Sequence, residues 1–245
     1  MTIWRGGSTI LITMAGAGQR FRDAGYTVPK FAITIHGHTL FWWSLHSLSR
    51  FLGPDVRVVF VGRAADRLDA FLAAECPALG ITDYRLVELE APTDGQATSA
   101  LRGLSAVIDP QAPLLIYNID TFVEPDSLSP DAMIGDGWIP CFHGLGDHWS
   151  FVRLDESGAA IEVREKVRVS PHATIGLYAF ASASLYAQLY DAYYGDGQQD
   201  AGERYIAPMY NQLIRDGHSV RITDVPSSTV HPLGTPAEVE RFARE

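Results

Sequence analysis

The chain has 245 residues, 47% of them hydrophobic and 20% charged, with a formal net charge of -10. That length and balance support one folded core and exclude global disorder. The acidic total leaves no basic face for a nucleic acid, so an anionic ligand must rely on a local cluster of donors and, usually, a divalent cation.

In chain order, Ser8–Met14 (STILITM) is an aliphatic, β-branched run that ends at glycines and reads as a buried strand. Residues 15–30 form a glycine-containing loop that closes on Pro29. Thr39–Phe51 has apolar residues at helical spacing. Val56–Val61 is a second buried strand, followed by a helix over about 65–74, and Tyr84–Leu89 is a third strand. Gln96–Val107 reads as a helix and Pro113–Tyr117 as a fourth strand. This alternation predicts a parallel sheet with helices on both faces and ligand binding beyond the carboxyl ends of the strands. The loops after Met14, Leu89 and Tyr117 should therefore adjoin.

After about residue 136 the pattern changes. Trp138–Phe142, Trp149–Leu154, Ala160–Glu165 and Ala173–Phe180 read as shorter strands, with a hairpin turn at Asp155–Gly158. Helices follow over 182–194, 203–216 and 236–244, with a strand near Val220–Thr223. The polar run Gly195–Asp200 reads first as a plain surface connection and second as a lid.

Two cysteines, Cys76 and Cys141, lack disulfide-framework or metal-ligand spacing, which suits a reducing cytoplasm. No apolar run has signal-peptide or membrane-spanning length. Of the 19 Lys plus Arg, only Lys30 and Lys166 are lysines. In such an arginine-rich chain they are candidates for places needing a compact, mobile ammonium; two chance surface lysines are the alternative.

Five segments carry candidate chemistry. The first is Met14-Ala15-Gly16-Ala17-Gly18-Gln19-Arg20-Phe21, leading to Pro29-Lys30. A strand feeding glycines lets backbone N–H groups approach phosphate oxygens. Phe21 stands where a dinucleotide fingerprint needs glycine, and no Gly-Lys-Ser/Thr triplet makes it a P-loop. The remaining reading is a phosphate loop with its own cations, Arg20 and Lys30. The second segment is Thr93-Asp94-Gly95-Gln96, where Gln96 can offer a donor and an acceptor to a base edge. Its alternative is an ordinary helix start capped by Thr93 or Asp94. The third is Asn118-Ile119-Asp120 at a strand end, where a carboxylate suits Mg²⁺. The fourth is Glu165-Lys166, an acceptor of a ligand hydroxyl beside a point charge for a phosphate. The fifth is Leu233-Gly234-Thr235-Pro236-Ala237-Glu238, which Thr235 as a helix N-cap followed by Pro236 already explains. The eight histidines show no metal-ligand spacing.

Together with Gly176-Leu177-Tyr178-Ala179-Phe180, these segments, in order from about Ile10 to Phe242, resemble the sugar-phosphate nucleotidyltransferase (nucleoside-diphospho-sugar pyrophosphorylase) superfamily. Glu165-Lys166 through Gly176 looks most like a capsule-biosynthesis, cytidylyltransferase-like branch. The resemblance implies an α/β, three-layer α/β/α fold with a mostly parallel mixed sheet, Rossmann-like and GT-A-like. It implies one domain over 1–245, with a nucleotide-binding half to about 125 and an acceptor-binding half after it. It also implies transfer of a nucleotidyl group from a triphosphate, CTP by preference and UTP or dTTP next, to a phosphorylated small molecule, with release of pyrophosphate. Met14 to Arg20, Gly95 and Gln96 would hold the nucleotide, and Arg20, Lys30 and Lys166 would serve catalysis. Asp120 would hold Mg²⁺, with Mn²⁺ as the substitute. Asn118, Glu165, Lys166 and Gly176 would hold the acceptor. Neither nucleic acid nor membrane is an expected partner, and self-association is left open.

The chain departs from the pattern at Pro232, where many relatives carry a second metal-binding Asp, and His231 is a poor substitute because Mg²⁺ prefers oxygen. Rival readings are a GT-A glycosyltransferase, favoured by Asn118-x-Asp120, a non-catalytic nucleotide sensor, and, third, a NAD-dependent oxidoreductase.

Overall fold

The computed structural model describes residues 3–195 and 202–245; most of the polar run read as a surface connection or lid, Asp196–Asp200, lies outside them. The elements in order are β1 (Thr9–Thr13), α1 (Gln19–Asp23), β2 (Thr34–Ile35), β3 (His38–Thr39), α2 (Leu40–His46), β4 (Arg57–Arg63), α3 (Leu68–Glu75), β5 (Tyr84–Leu89), α4 (Gln96–Gly103), β6 (Leu114–Asn118), β7 (Thr121–Val123), β8 (Gly137–His143), β9 (Ser150–Leu154), β10 (Ala160–Glu165), β11 (His172–Thr174), β12 (Leu177–Phe180), α5 (Ala183–Tyr194), α6 (Tyr210–Arg215), β13 (Val220–Asp224), β14 (Val230–Pro232) and α7 (Pro236–Phe242). Ten strands form one mixed α/β sheet in the order β10-β9-β11-β8-β12-β6-β1-β4-β5, with β13 on β8. β6, β1, β4 and β5 are mutually parallel, whereas β12 runs antiparallel between β6 and β8.

The buried-strand reading of the first run holds because both faces of β1 are covered. Ile10 and Ile12 pack with Phe41, Leu45, Leu68 and Leu72 of α2 and α3. Leu11 points the other way, into Ala97, Ala100, Tyr186 and Tyr210 of α4, α5 and α6. Successive side chains of a strand alternate faces, so a continuous apolar run demands such a sandwich. All three β1 side chains are fully buried.

Several helix starts follow from local chemistry. Thr39, Ser182 and Thr235 accept hydrogen bonds from the backbone N–H of Trp42, Leu185 and Glu238, satisfying donors that the first turn leaves free. Pro236, with no N–H to satisfy, opens α7. The helix of Gln96 does not start as the capping alternative had it. Gly95 is its N-cap and no side chain caps it, because Asp94 pairs with Arg204 and Thr93 bonds the Gly95 carbonyl and Ser99.

Other differences are local. The expected strand Ala173–Phe180 breaks in two at Gly176, and the expected helix 203–216 is regular only over Tyr210–Arg215, after a 3₁₀ turn at Ala207–Met209. The two-stranded ribbon β7–β14, pairing Thr121 with Pro232, has no counterpart in the periodicity. Cys76 and Cys141 are free and buried, and no helix among the described residues is long and apolar enough to cross a membrane.

Candidate active site

The glycine loop leaves β1 and ends in the short helix α1. Phe21 is buried against Ile33, Leu40, Leu233 and Phe242, which turns its neighbour Arg20 to solvent. The motif's aromatic residue thus anchors the loop, and its arginine is left without a hydrogen bond or ion pair among the described residues. Arg22 donates to the Ala17 carbonyl and Gln19 to Asp23. Gly16 and Ala17 are exposed, which leaves this stretch of the loop open to a ligand. Met14 is buried and donates its own N–H to Val61, so it holds the loop's base. Lys30 begins a 3₁₀ turn whose Cβ lies 3.9 Å from where one on Gly18 would be.

The loops after β1, β5 and β6 do adjoin. Gln96 Nε2 donates to Thr13 Oγ1 at 3.1 Å and to Asn118 Oδ1. With both amide hydrogens engaged, Oε1 is the atom that Gln96 can turn to a ligand donor. Gly95, at φ +153°, is required by the fold. A Cβ there would lie 2.3 Å from the Arg204 backbone N, and Arg204 N and O bond Asp94 O and Ala97 N. Gly176 has φ +80°, and a Cβ on it would meet Asn118 Nδ2 at 2.6 Å. Both glycines therefore answer to protein atoms.

Asp120 follows β6 directly. Its Oδ2 lies 3.2 Å from Lys30 Nζ, and its carbonyl accepts from Leu233 N–H. The β7–β14 ribbon sets Gly234 against it. Oδ2 of Asp120 and Oε2 of Glu238 lie 3.6 and 3.4 Å from the place a Cβ on Gly234 would fill. Both carboxylates reach the surroundings of Gly234, and carboxylate oxygens are the donors a hard divalent cation takes. Pro232 carries no donor, and His231 is turned away, its Nδ1 2.9 Å from Glu245 and its ring stacked on Phe122. Glu238, on the first turn of α7, is the other acid that approaches Gly234.

A second cluster gathers at the end of β10. Glu165 accepts from Ser150 Oγ, and nearby the Tyr178 hydroxyl meets Thr174 Oγ1 at 3.1 Å. Burial pushes the Glu165 carboxyl above its ordinary range, opposed by the Ser150 hydrogen bond and the Lys166 charge. Lys166 adopts φ +53°, uncommon for a residue with a Cβ, and is held there by Lys166 N–H to Trp149 O at 2.9 Å. Its Nζ donates to Tyr205 OH at 2.7 Å and lies 4.6 Å over that ring. This hydrogen bond raises the Lys166 pKa, with Glu165 and Glu203 adding to it. The ammonium therefore stays charged at neutral pH.

The structure thus forms two clusters, Lys30–Asp120–Gly234 and Glu165–Lys166. Gln96, Asn118 and Gly176 lie together, and the segment Arg204–Tyr205 links the Gly95 turn to Lys166. Sequence reasoning missed Arg204, Tyr205 and Glu238. Arg204 and Tyr205 sit in a stretch read as helix, and Glu238 belongs to the segment that helix capping already explained.

A scan against protein-family models and a search of curated proteins return no match. Among solved structures, the chain is 32% identical to a nucleoside-diphosphate-sugar pyrophosphorylase from Vibrio cholerae RC9, over 96% of this chain and 100% of that one, with a TM-score of 0.90. It also shares the fold of the inositol-1-phosphate CTP transferase from T. maritima, at 15% identity, 96% and 93% coverage and a TM-score of 0.77. The ordered motifs, the fold and the full-length likeness at 32% identity agree, and the chain belongs to the sugar-phosphate nucleotidyltransferase family.

Proposed function

We propose that the protein transfers a nucleotidyl group from a nucleoside triphosphate to a phosphorylated small molecule and releases pyrophosphate. The observation that carries this reading is the convergence of Lys30, Asp120 and Gly234 at the mouth of the glycine loop, 3.2 Å separating the first two. In this reading a phosphate oxygen of the acceptor attacks the α-phosphorus in line. The new P–O bond forms as the bond to the β-phosphate breaks, and no covalent enzyme intermediate is needed. Catalysis is then positioning and neutralisation of developing charge.

The backbone of Gly16, Ala17 and Gly18 and the free guanidinium of Arg20 hold the triphosphate, with Gln19 at the loop's exit. Lys30 exchanges Asp120 for a phosphate when the nucleotide arrives. Asp120, with Glu238 near it, would hold Mg²⁺, which when bound would supply charge to the phosphate oxygens. Glu165 bonds the acceptor's hydroxyls together with Asn118, which Gly176 lets pack close, and Lys166 pairs with its phosphate. CTP is the proposed donor, because Gln96 offers an acceptor and cytosine presents an exocyclic amine. The likeness of Glu165–Gly176 to the capsule branch supports a product bound for surface polysaccharide.

The test is a pyrophosphate-release screen of CTP, UTP, dTTP, ATP and GTP with Mg²⁺ against sugar and non-sugar phosphates. Release with CTP and one acceptor class supports the proposal. Nucleotide binding without release across the panel favours a sensor. Transfer from or hydrolysis of a nucleotide sugar favours a glycosyltransferase.

A further inference from the structure

Three strands that take no part in the proposed reaction end at one place. His143 closes β8, His172 opens β11 and Asp224 closes β13. In the sheet register His172 is the direct antiparallel partner of His143, and Asp224 is the partner of Cys141, two residues earlier and so on the face of His143. His172 Nδ1 lies 2.9 Å from Asp224 Oδ1, and the two imidazole rings meet edge to face at 5.6 Å. One ligating atom from each residue falls within 4.8 Å of the other two. Among the described residues Asp224 pairs with His172 and with no Lys or Arg, and the His143 ring makes no hydrogen bond.

We propose that His143, His172 and Asp224 form a binding site for a borderline divalent transition cation, with Zn²⁺ as the probe, separate from the Mg²⁺ of the reaction. Two imidazole nitrogens and one carboxylate suit Zn²⁺ and its neighbours, whereas Mg²⁺ wants an all-oxygen shell. A tetrahedral Zn²⁺ with bonds of about 2.0–2.1 Å needs its ligand atoms about 3.3 Å apart. The ligand atoms, within 4.8 Å of one another, would have to draw together by side-chain rotation on strand ends that the sheet holds in place. Two rings and a carboxylate leave a fourth position for water or another ligand.

The site's place in the fold gives it a use. β8 runs on into the loop whose Trp149 carbonyl holds Lys166 N–H. β11 runs on to Gly176, packed on Asn118. β13 runs on through Val225, bonded to the Cys141 carbonyl at 2.7 Å, to β14 and Gly234 beside Asp120. A cation joining the three strand ends braces three approaches to the cleft at once.

The test is Zn²⁺ binding to the full chain by equilibrium dialysis with elemental analysis, in a large excess of Mg²⁺. One Zn²⁺ per chain is expected, undisturbed by Mg²⁺, with affinity falling at least about tenfold in His143→Ala and in Asp224→Asn. Co²⁺ should give a visible d–d absorption band that both variants lose. Both substituted side chains are exposed, so the variants should keep the parent circular dichroism spectrum. Absence of stoichiometric binding at about 100 μM Zn²⁺, or binding unaltered in both variants, overturns the proposal. The readout does not depend on turnover, so its failure is distinct from failure of the proposed reaction.

Discussion

Glu165 sets function against stability at a single residue. Burial raises its pKa, so the folded chain binds this proton more tightly than the unfolded chain does. Stability therefore falls as pH climbs past the unfolded value near 4.5, and the full penalty is present above the raised folded value. Glu165→Gln keeps the shape and the Ser150 hydrogen bond but removes the buried charge. Its melting temperature should exceed the parent's at pH 7–8, and the gain should shrink toward pH 4.5 in a scan by differential fluorimetry. The same variant should raise acceptor KM. Arg20 and Lys166 should divide the two substrates between them. Arg20→Ala is expected to weaken triphosphate use and Lys166→Ala acceptor use, each by about 1.5–3 kcal/mol, roughly 10- to 150-fold in kcat/KM. Equal effects on both substrates in initial-rate kinetics would contradict the assignment. Both cations were legible in the sequence, Lys166 through the scarcity of lysine. Tyr205 was not, because no local pattern announces a contact made 39 residues away.

Among the elements, the Gly95 turn and the segment around Arg204 act as one piece. Two backbone hydrogen bonds, the Arg204–Asp94 ion pair and the Arg204–Tyr190 hydrogen bond fix it. Gly95→Ala would press a methyl group into the Arg204 backbone at a φ that side chains resist. A loss of about 1–3 kcal/mol is expected by urea unfolding. Tyr205→Phe keeps the ring and removes the hydroxyl, and is expected to raise acceptor KM several-fold with triphosphate KM unchanged. The sequence reading found this turn and its glycine but assigned the glycine to ligand approach. It also carried the helix of Tyr210 back over Arg204, because apolar spacing there continues while the backbone is drawn away to Asp94. Boundaries set by distant partners escape periodicity.

Across the whole molecule, the buried parallel strands were readable because sheets covered on both faces need unbroken aliphatic runs, as Ile10–Ile12 and Val58–Val61 supply. The β7–β14 ribbon was not, since its pairing joins Thr121 to Pro232 across the chain and each strand has three residues. That ribbon brings α7, and with it Glu238, to Asp120. Binding of Mg²⁺ and CTP should thus tie the amino- and carboxyl-terminal parts of the chain. At a nucleotide concentration of 100 times Kd the gain should be about 2.7 kcal/mol. For a chain of this size that is a rise of about 5–10 °C in Tm. A null shift in thermal denaturation with CTP, against a rise with UTP or dTTP, would reassign the base.

The two lysines also have a practical consequence. The Lys166 side chain is 56% exposed and the Lys30 side chain 15%, and the chain has no other side-chain amine. Among the side chains an acylating reagent therefore meets one open amine beside Tyr205 and one shielded amine under the glycine loop. Peptide mapping should find the first modified early and the second protected further by nucleotide. Coupling this protein to a support or a dye through amines would poison the very groups that make it useful.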